Sequence, residues 1–221
     1  MSILEIENIS YDYTTKAGKV HALKSATAKF EKGTVYAIVG RSGSGKSTFI
    51  SLLAGLDVPK DGKVFYNGTD LAKADRDRYR REHVGMIFQS FYLLPQLTAL
   101  ENVELTLQLA GFSGNKRKRA SETLLRMGIE AAQFRKHSLQ FSGGEQQRIA
   151  IARAIAPDPE IILADEPTGN LDNENSQNIV NILSEMAHKD GKCVIIITHA
   201  AEVASCADVI LHMSDGILSE A

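Results

Sequence analysis

The segment FSGGEQQR, Phe141 to Arg148, has the residue types of a binding site for a charged ligand. Its Gly-Gly step opens a helical pattern, and the free N–H groups at such a helix start suit an anion such as phosphate. A second segment of this kind, GRSGSGKS, lies at Gly40 to Ser47. Because the chain already has that phosphate cradle, the later segment is predicted to meet a phosphate held by another copy of the protein.

The earlier segment has the sequence context of a phosphate-binding loop, between an apolar strand pattern and the apolar run Phe49 to Leu53. Its glycines let the backbone wrap around phosphate oxygens, and Lys46 offers a charge to the β- and γ-phosphates. The Ser47 hydroxyl can ligate Mg²⁺. The alternative is a flexible Gly/Ser loop, which would not require this complete pattern. The motif predicts binding of a nucleoside triphosphate with Mg²⁺.

Two adjacent carboxylates follow a short apolar run, Ile161 to Ala164. Ligands of parallel sheets bind at the carboxyl ends of the strands, so this position suits a reacting phosphate. Asp165 is predicted to hold Mg²⁺ through its second shell or a water, and Glu166 to orient or deprotonate the attacking water. The alternative is a solvated turn before Pro167.

Two further polar residues end predicted strands. Gln89 closes the run GMIFQ, and its amide can contact Mg²⁺ or the attacking water. His199 follows VIIIT and can touch the γ-phosphate and report its loss. Each residue taken alone is more typical of a hydrogen-bonded structural position. Their joint occurrence with the two motifs favours the functional interpretation.

The elements that must position these residues alternate between strand and helix patterns, which predicts an α/β fold with a mostly parallel sheet. Predicted strands are Val35 to Val39, Val84 to Phe88, Ile161 to Ala164 and Val194 to Thr198. Two earlier runs alternate like antiparallel strands around a turn-prone break, and three later runs fit helices separated by Gly111, Gly114 and Gly128. The antiparallel runs are Leu4 to Ile9 and Val20 to Phe30, with the break at Thr14 to Lys19; the helices are Leu100 to Leu109, Lys116 to Met127 and Glu145 to Ile155.

Composition is that of a soluble globular protein, with 221 residues, 43% apolar content and 24% charged content. We expect one domain in the cytosol, because no apolar run is long enough for a membrane span and the first residues lack an export-signal layout. The net charge of −2 argues against bulk nucleic-acid binding. Cys193 and Cys206 have no metal-ligand spacing and are predicted to be reduced thiols of the core.

Taken together, these motifs resemble the ATP-binding subunit of an ABC transporter over essentially the whole chain. The segments ILADEPTGNLD and IARAI are similar to the branch with lipoprotein-release, macrolide-efflux and cell-division ATPases. The resemblance implies a P-loop NTPase core with a mostly parallel sheet, an N-terminal antiparallel β subdomain and an inserted helical subdomain. It places the core with its β subdomain at 1–89 and 158–221 and the helical subdomain at 90–157, within one domain, 1–221.

The resemblance also implies roles for particular residues. Tyr13, rather than Tyr11, is expected to stack on adenine. The catalytic residues would be Glu166, His199, Gln89 and Lys46, and the Mg²⁺ ligands Ser47, Gln89 and Asp165. The nucleotide-binding positions would be Tyr13, Gly40, Arg41, Ser42, Gly43, Ser44, Gly45, Lys46, Ser47, Thr48, Gln89, Ser142, Gly143, Gly144 and Asp172.

The signature of this family is usually LSGGQ, whereas this chain has FSGGE. Phe141 therefore replaces leucine and Glu145 replaces glutamine. A carboxylate in the first turn favours the helix dipole, yet its charge could repel a nearby γ-phosphate. We expect function to persist with a retuned affinity.

The implied function is an ATP-hydrolysing motor that homodimerises head to tail on ATP and drives a separate membrane permease, in export or membrane extraction. The protein would then lie on the cytoplasmic face of the plasma membrane. The alternative is a signalling ATPase similar to those of cell division, which moves no solute. Ser90 to Pro95 resembles a permease-facing surface, although a contact between subdomains would explain it equally well. The basic run Lys116 to Arg119 is interpreted as a solvated helix face.

Overall fold

The computed structural model describes residues 2–15 and 18–220. Within these ranges the chain forms two sheets and seven α-helices. The strands are β1 Ser2–Thr15, β2 Gly18–Glu31, β3 Val35–Val39, β4 Asp61–Tyr66, β5 Thr69–Asp70, β6 Val84–Phe88, β7 Ile161–Asp165, β8 Cys193–Thr198, β9 Val209–Ser214 and β10 Ile217–Glu220. The helices are α1 Lys46–Leu53, α2 Arg76–His83, α3 Ala99–Leu109, α4 Lys116–Arg126, α5 Gly143–Ile155, α6 Asn173–His188 and α7 Ala201–Ala204.

The larger sheet has the strand order β10-β9-β3-β8-β7-β6. All neighbours pair in parallel except β10 and β9, which are antiparallel. Every residue of β8 is buried, including the polar Thr198 at its end, because other elements cover both faces of the sheet. The predicted α/β class with a mostly parallel sheet is confirmed, and β7 and β8 each extend one residue beyond the prediction.

The smaller sheet is antiparallel, with the order β2-β1-β4-β5. Its pairing of β1 with β2 confirms the predicted N-terminal strands. The predicted break at Thr14 to Lys19 is wrong in extent, because Thr14 pairs with Lys19 and Thr15 with Gly18. The rest of that predicted break, Lys16 and Ala17, lies outside the described residues.

Three helices in the middle of the chain confirm the helical patterns at 100–155. Helix α3 begins with a capping box in which the Thr98 hydroxyl accepts from the Glu101 N–H and the Glu101 carboxylate accepts from the Thr98 N–H. Apolar residues of α3 and α4 share one buried cluster with residues of β7 and β8. The boundaries of the predicted helical subdomain, 90–157, stay a prediction.

The two cysteines have different environments. Cys193 is buried in β8, as predicted, and burial raises the pKa of its thiol to about 12. Cys206 is exposed, so its assignment to the core is wrong. It follows the short helix α7 and lies where the chain turns over the surface towards β9. Of the helices in residues 2–15 and 18–220, none combines the length and the apolar character needed to cross a bilayer.

Candidate nucleotide site

The phosphate-loop segment connects β3 to α1. Gly45 is the N-cap of α1, and no side chain caps the helix there, so the N–H groups of its first turn are available to a ligand. Gly45 has a φ of 109°, and a Cβ at this position would lie 2.4 Å from the Ala22 carbonyl oxygen. Only glycine combines this left-handed backbone with so close an approach to β2.

The Lys46 side chain is hydrogen-bonded to the backbone of the phosphate loop. Its Nζ donates to the carbonyl oxygens of Gly40 at 2.7 Å and Arg41 at 2.9 Å, and the residue is only 9% exposed. A buried ammonium must be paired or hydrogen-bonded to be tolerated. The loop carbonyls supply those bonds and hold the charge in the cradle that the glycines form.

A cleft of about 800 Å³ opens over this loop. It brings together most of the nucleotide-binding residues predicted before the signature segment. Gly40 and Ser44 do not line it: a Cβ on Gly40 would meet the Met213 carbonyl oxygen at 2.2 Å, and the buried Ser44 hydroxyl has no hydrogen-bond partner among the residues that the structure describes. The lining residues are Tyr13, Val20, His21, Ala22, Arg41, Ser42, Gly43, Gly45, Lys46, Ser47, Thr48, Gln89, Asp165, Glu166 and His199.

The two strand-end carboxylates are in different environments. Burial, together with the neighbouring charge of Glu166, raises the pKa of Asp165, and Lys46 opposes that shift. A half-buried carboxylate of this kind is suited to a cation. Within the described residues no group of three or more His, Cys, Asp and Glu could hold a metal alone. Mg²⁺ commonly takes one or two protein ligands together with substrate phosphates, so Ser47 and Asp165 fit that ion.

Glu166 and His199 form a direct pair. The His199 Nδ1 lies 2.7 Å from one carboxylate oxygen of Glu166, and the His199 backbone N–H donates to the other at 3.4 Å. The carboxylate is mostly covered, with 16% side-chain exposure, whereas the imidazole is 70% exposed. The pair therefore fixes a carboxylate at the cleft wall and leaves the histidine accessible to a ligand.

The backbone of Glu166 adopts a φ of 49°, in the left-handed region that non-glycine residues seldom occupy. Its N–H donates to the Ile197 carbonyl at 2.9 Å, and its carbonyl accepts from the Gly169 N–H at 3.1 Å. Such a conformation costs about 1–3 kcal/mol and persists only where the surroundings enforce it. These bonds to β8 and to the following turn hold the carboxylate at the end of β7.

Gln89 and Tyr13 also line the cleft. The Gln89 amide donates to the Asn170 Oδ1 at 3.4 Å, and the Asn170 amide donates to the Gln89 carbonyl at 3.0 Å. Tyr13 is 46% exposed, with its hydroxyl 3.1 Å from the Thr48 Oγ1. Tyr11 is buried and binds Asp57, so Tyr13 is the better placed of the two to meet a base.

The signature residues do not line this cleft, and neither does Asp172. Ser142 is exposed and forms the N-cap of α5 through a capping box with Glu145. One Glu145 oxygen accepts from the Ser142 N–H at 2.8 Å and the other from Gln133 at 3.0 Å. These bonds lower the pKa of Glu145, and the bond from the Ser142 backbone N–H has the largest effect. The unusual acid is thus bonded back to its own helix start.

Gly144 packs against the first turn of α6. A Cβ on Gly144 would lie 2.2 Å from the Asn175 Oδ1, so a larger residue here would displace the Asn175 side chain. Asn175 is held in turn by Asp172, whose carboxylate accepts from its backbone N–H at 2.8 Å and from its side-chain amide at 2.9 and 3.0 Å. The start of the signature helix and the Asp172 loop are therefore in contact through Asn175, and neither lines the cleft.

Sequence reasoning missed one polar residue that contacts both catalytic loops. Gln147 of α5 is fully buried, and its amide donates to the carbonyls of Pro167 and Phe88. The available signal was its place among the apolar residues of α5. It also missed that Val20, His21 and Ala22 of β2 line the cleft.

Comparison with known proteins supports the reading of this geometry. The family model described as ABC transporter matches residues 23–169. An uncharacterized ABC transporter ATP-binding protein of Bacillus subtilis is 41% identical over 98% of this chain and 95% of its own length. The macrolide export ATP-binding/permease protein MacB of Bradyrhizobium diazoefficiens is 42% identical, and the match covers 98% of this chain and 33% of MacB.

The structural comparison agrees. The ATP-binding cassette MJ0796 of Methanocaldococcus jannaschii, solved as a dimer in a post-hydrolysis state with ADP and Pi, superposes with a TM-score of 0.89. It is 36% identical, and the match covers 98% of each chain. A phosphate loop, a strand-end acid pair and a histidine in one cleft define a P-loop ATPase. The chain belongs to the ABC transporter family and is an ATP-hydrolysing cassette of that family.

Proposed function

We propose that this chain is the motor subunit of an ABC transporter that homodimerises head to tail on ATP and drives a separate membrane permease. It would act peripherally, at the cytoplasmic face of the plasma membrane. The similarity to MacB, a macrolide export protein by its name, favours export or membrane extraction as the direction of work. The related MJ0796 cassette has been solved as a dimer, which supports a dimer of this chain.

One observation carries the proposal: the site is incomplete within one chain. Lys46, Glu166 and His199 line an open cleft, whereas Ser142, exposed at the start of α5, and Gly144, buried in its first turn, lie outside that cleft. The Gly143 and Gly144 N–H groups at the start of α5 suit a phosphate, yet none of the signature residues reaches the cleft of its own chain. A second copy, related by a two-fold axis, would place each signature over the other's nucleotide.

The chain's own residues then have defined roles. Lys46 and the first-turn N–H groups of α1 bind the β- and γ-phosphates, and Tyr13 supports the base. Glu166 accepts a proton from the attacking water at its carboxylate, and His199, bonded to that carboxylate, orients it and contacts the γ-phosphate. Ser142 and Gly144 of the partner copy close the site and exclude bulk water.

Ser47, Asp165 and Gln89 would hold Mg²⁺ beside the phosphates, since all three residues line the same cleft and carry oxygen ligands. When bound, the ion neutralises charge that develops on the phosphate oxygens during transfer. Loss of the γ-phosphate removes contacts on which both copies depend, so hydrolysis favours the open arrangement. Opening and closing of the dimer is the motion available to a permease.

A second cleft suits the permease contact. Its volume is about 420 Å³, and it lies between α2, β6, α3 and the end of α5. Leu109, 64% exposed, and Met86 form apolar walls, and Arg81 and Arg153 supply positive charge. Arg153 also donates to the carbonyls of residues 91 and 92, which belong to the segment predicted to face a permease. A short amphipathic helix with an acidic residue fits this chemistry.

Within the 90–95 segment, the two alternatives apply to different residues. Tyr92 is 66% exposed and Leu94 is 43% exposed, so both are accessible to a partner. Leu93 is partly buried and packs against the buried cluster that α3 and α4 share with β7 and β8, as a contact within the chain requires. We therefore propose that the permease contacts Tyr92, Leu94 and the 420 Å³ cleft that Arg153 lines.

The dimer is tested with Glu166→Gln, which removes the base and leaves the phosphate contacts in place. With Mg-ATP this variant should sediment near twice the 24.1 kDa of one chain, and with Mg-ADP as a monomer. Lys46→Ala in the same background is the control and should stay monomeric, because it loses the phosphate contact. A monomer under saturating Mg-ATP would contradict the proposal.

The permease contact is tested by cross-linking in cells that express the tagged chain. Leu109→Glu places a charge on the apolar wall and should abolish a cross-link to an integral membrane protein that the unaltered chain forms. Leu125→Glu is a matched control, because Leu125 is 53% exposed on α4 and does not line this cleft. Equal cross-linking by both variants would refute this surface as the contact.

A further inference from the structure

The fully buried amide of Gln147 connects the signature helix to both catalytic loops. Its Nε2 donates to the Pro167 carbonyl at 2.6 Å and lies 3.3 Å from the Phe88 carbonyl oxygen. Pro167 directly follows Glu166, and Phe88 directly precedes Gln89. One side chain of α5 therefore contacts the backbone next to the proposed base and next to the glutamine of the cleft.

The hydrogen bonds of this amide go to the two loops. Its Oε1 is buried and has no hydrogen-bond partner among the described residues, so the two bonds of Nε2 are the ones that orient the amide. The next four residues of α5 are Arg148 and the buried apolar residues Ile149, Ala150 and Ile151. Burial of an amide is unfavourable unless its hydrogen bonds are made, so an apolar side chain would serve a purely packing role better.

The two loops are also connected to each other. Asn170 donates to the Gln89 carbonyl at 3.0 Å, and a Cβ on Gly169 would lie 2.7 Å from the Gln89 Nε2. The absence of a side chain at Gly169 thus lets the loop after β7 lie directly on the loop after β6. A displacement of either loop is passed to the other, and both are bonded to α5 through Gln147.

Gln147 lies close to the start of α5. Gln147 is four residues after Gly143, about one helical turn or roughly 6 Å along the axis. If the start of α5 contacts the nucleotide of the partner copy, as the proposed function requires, a small movement of the helix acts directly on the amide. The contact between copies is then one turn away from the backbone that holds the catalytic groups.

We propose that Gln147 is a positioning residue that couples the start of α5 to Glu166 and Gln89 of its own chain. Through it, nucleotide bound at one site of the dimer affects the geometry of the other site. This inference rests on the proposed head-to-tail dimer. It predicts that Gln147 contributes to turnover and to cooperativity in ATP, and contributes little to the affinity of an isolated chain for nucleotide.

The test is Gln147→Met, which keeps the side-chain volume and removes the donor. We expect kcat to fall about tenfold and the Hill coefficient for ATP to fall towards 1, since a lost hydrogen bond of ordinary strength gives a change of this order. Affinity of the monomer for a fluorescent ATP analogue should stay within about twofold. Gln147→Asn, which keeps a buried donor but is one methylene shorter, should give the same pattern if the methionine variant does not fold.

Tyr79→Phe is the matched control. The Tyr79 hydroxyl is buried and donates to the Leu53 carbonyl at 2.9 Å, so this variant also loses one buried donor to a backbone carbonyl. It should lower the melting temperature and leave kcat and the Hill coefficient unchanged. The inference is overturned if Gln147→Met lowers only the melting temperature, as the control does, or raises KM at unchanged kcat.

Failure of the dimer is distinguishable from failure of this inference. If the Glu166→Gln chain with normal Gln147 stays monomeric in Mg-ATP, the head-to-tail dimer is wrong, whatever the Gln147 variants do. If that chain dimerises and Gln147→Met retains the Hill coefficient of the unaltered enzyme, the dimer stands and the coupling through Gln147 is wrong.

Discussion

Replacement of Gly144 by alanine tests the tight contact between the signature helix and α6. The added Cβ would lie 2.2 Å from the Asn175 Oδ1 and 2.5 Å from its Cγ. Carbon and oxygen atoms that are not bonded normally stay more than about 3 Å apart, so the overlap is close to 1 Å. Either the two helices separate or the Asn175 side chain moves.

If the Asn175 side chain moves, the hydrogen bonds that it loses determine the loss in free energy of unfolding. Its amide donates to both oxygens of the Asp172 carboxylate, and rotation away from Gly144 breaks these bonds. Each is worth about 0.5–1.5 kcal/mol, and their exposure to solvent places them at the low end of that range, so we expect a loss of about 1–2 kcal/mol. For a chain of this length, that lowers the melting temperature by about 2–8 °C.

The assay is thermal unfolding followed by circular dichroism, carried through a double-mutant cycle with Asn175→Ala. In the Asn175→Ala background the clash is absent, and Gly144→Ala should be neutral or slightly stabilising because alanine favours helix over glycine. The change in sign between the two backgrounds is the critical result. An equal effect of Gly144→Ala with and without Asn175 would refute the contact.

Asp165→Asn should raise the melting temperature at pH 7 without nucleotide and abolish ATPase activity. Burial and Glu166 raise the pKa of Asp165 in the folded state, so its ionised form lowers stability at neutral pH, and the gain should shrink as pH falls through the folded pKa. Tyr13→Ala should weaken ATP binding about tenfold by loss of stacking, whereas Tyr13→Phe, which loses only the Thr48 contact, should change Kd by less than about twofold in calorimetry. Glu145→Gln should cost about 0.5–1 kcal/mol in urea unfolding at neutral pH, because it loses a charge-assisted cap, and the difference should vanish in acid as the lowered pKa of Glu145 is passed.

The fold and the cleft were largely predictable, because their signals are local. An apolar strand followed by a glycine-rich loop and Lys46 specifies the phosphate cradle within eight residues. The acid pair, Gln89 and His199 each follow an apolar strand, and parallel strands bring their carboxyl ends to one edge. The antiparallel strands were also visible as alternating patterns, although their turn was placed too broadly.

What sequence did not reveal depends on contacts between distant segments. Glutamine is common in helices, so the sequence does not single out Gln147. Only the packing of α5 shows that its amide contacts two loops. The close contact at Gly144 is with Asn175, 31 positions later in the chain. The spacing of Cys206 excludes a metal site but does not show that the residue is exposed after α7. Pairwise distances of this kind carry no local pattern.

The most direct test of a site shared between two copies is complementation between two inactive variants. Lys46→Ala disables the cleft and keeps an intact signature, and Ser142→Arg disables the signature and keeps an intact cleft. A mixed dimer has one intact site, formed by the cleft of the Ser142→Arg chain and the signature of the Lys46→Ala chain, so an equal mixture should show ATPase activity that neither variant has alone. A chain with both substitutions, mixed with either variant, is the inactive control. A mixture no more active than its separate components would contradict the account.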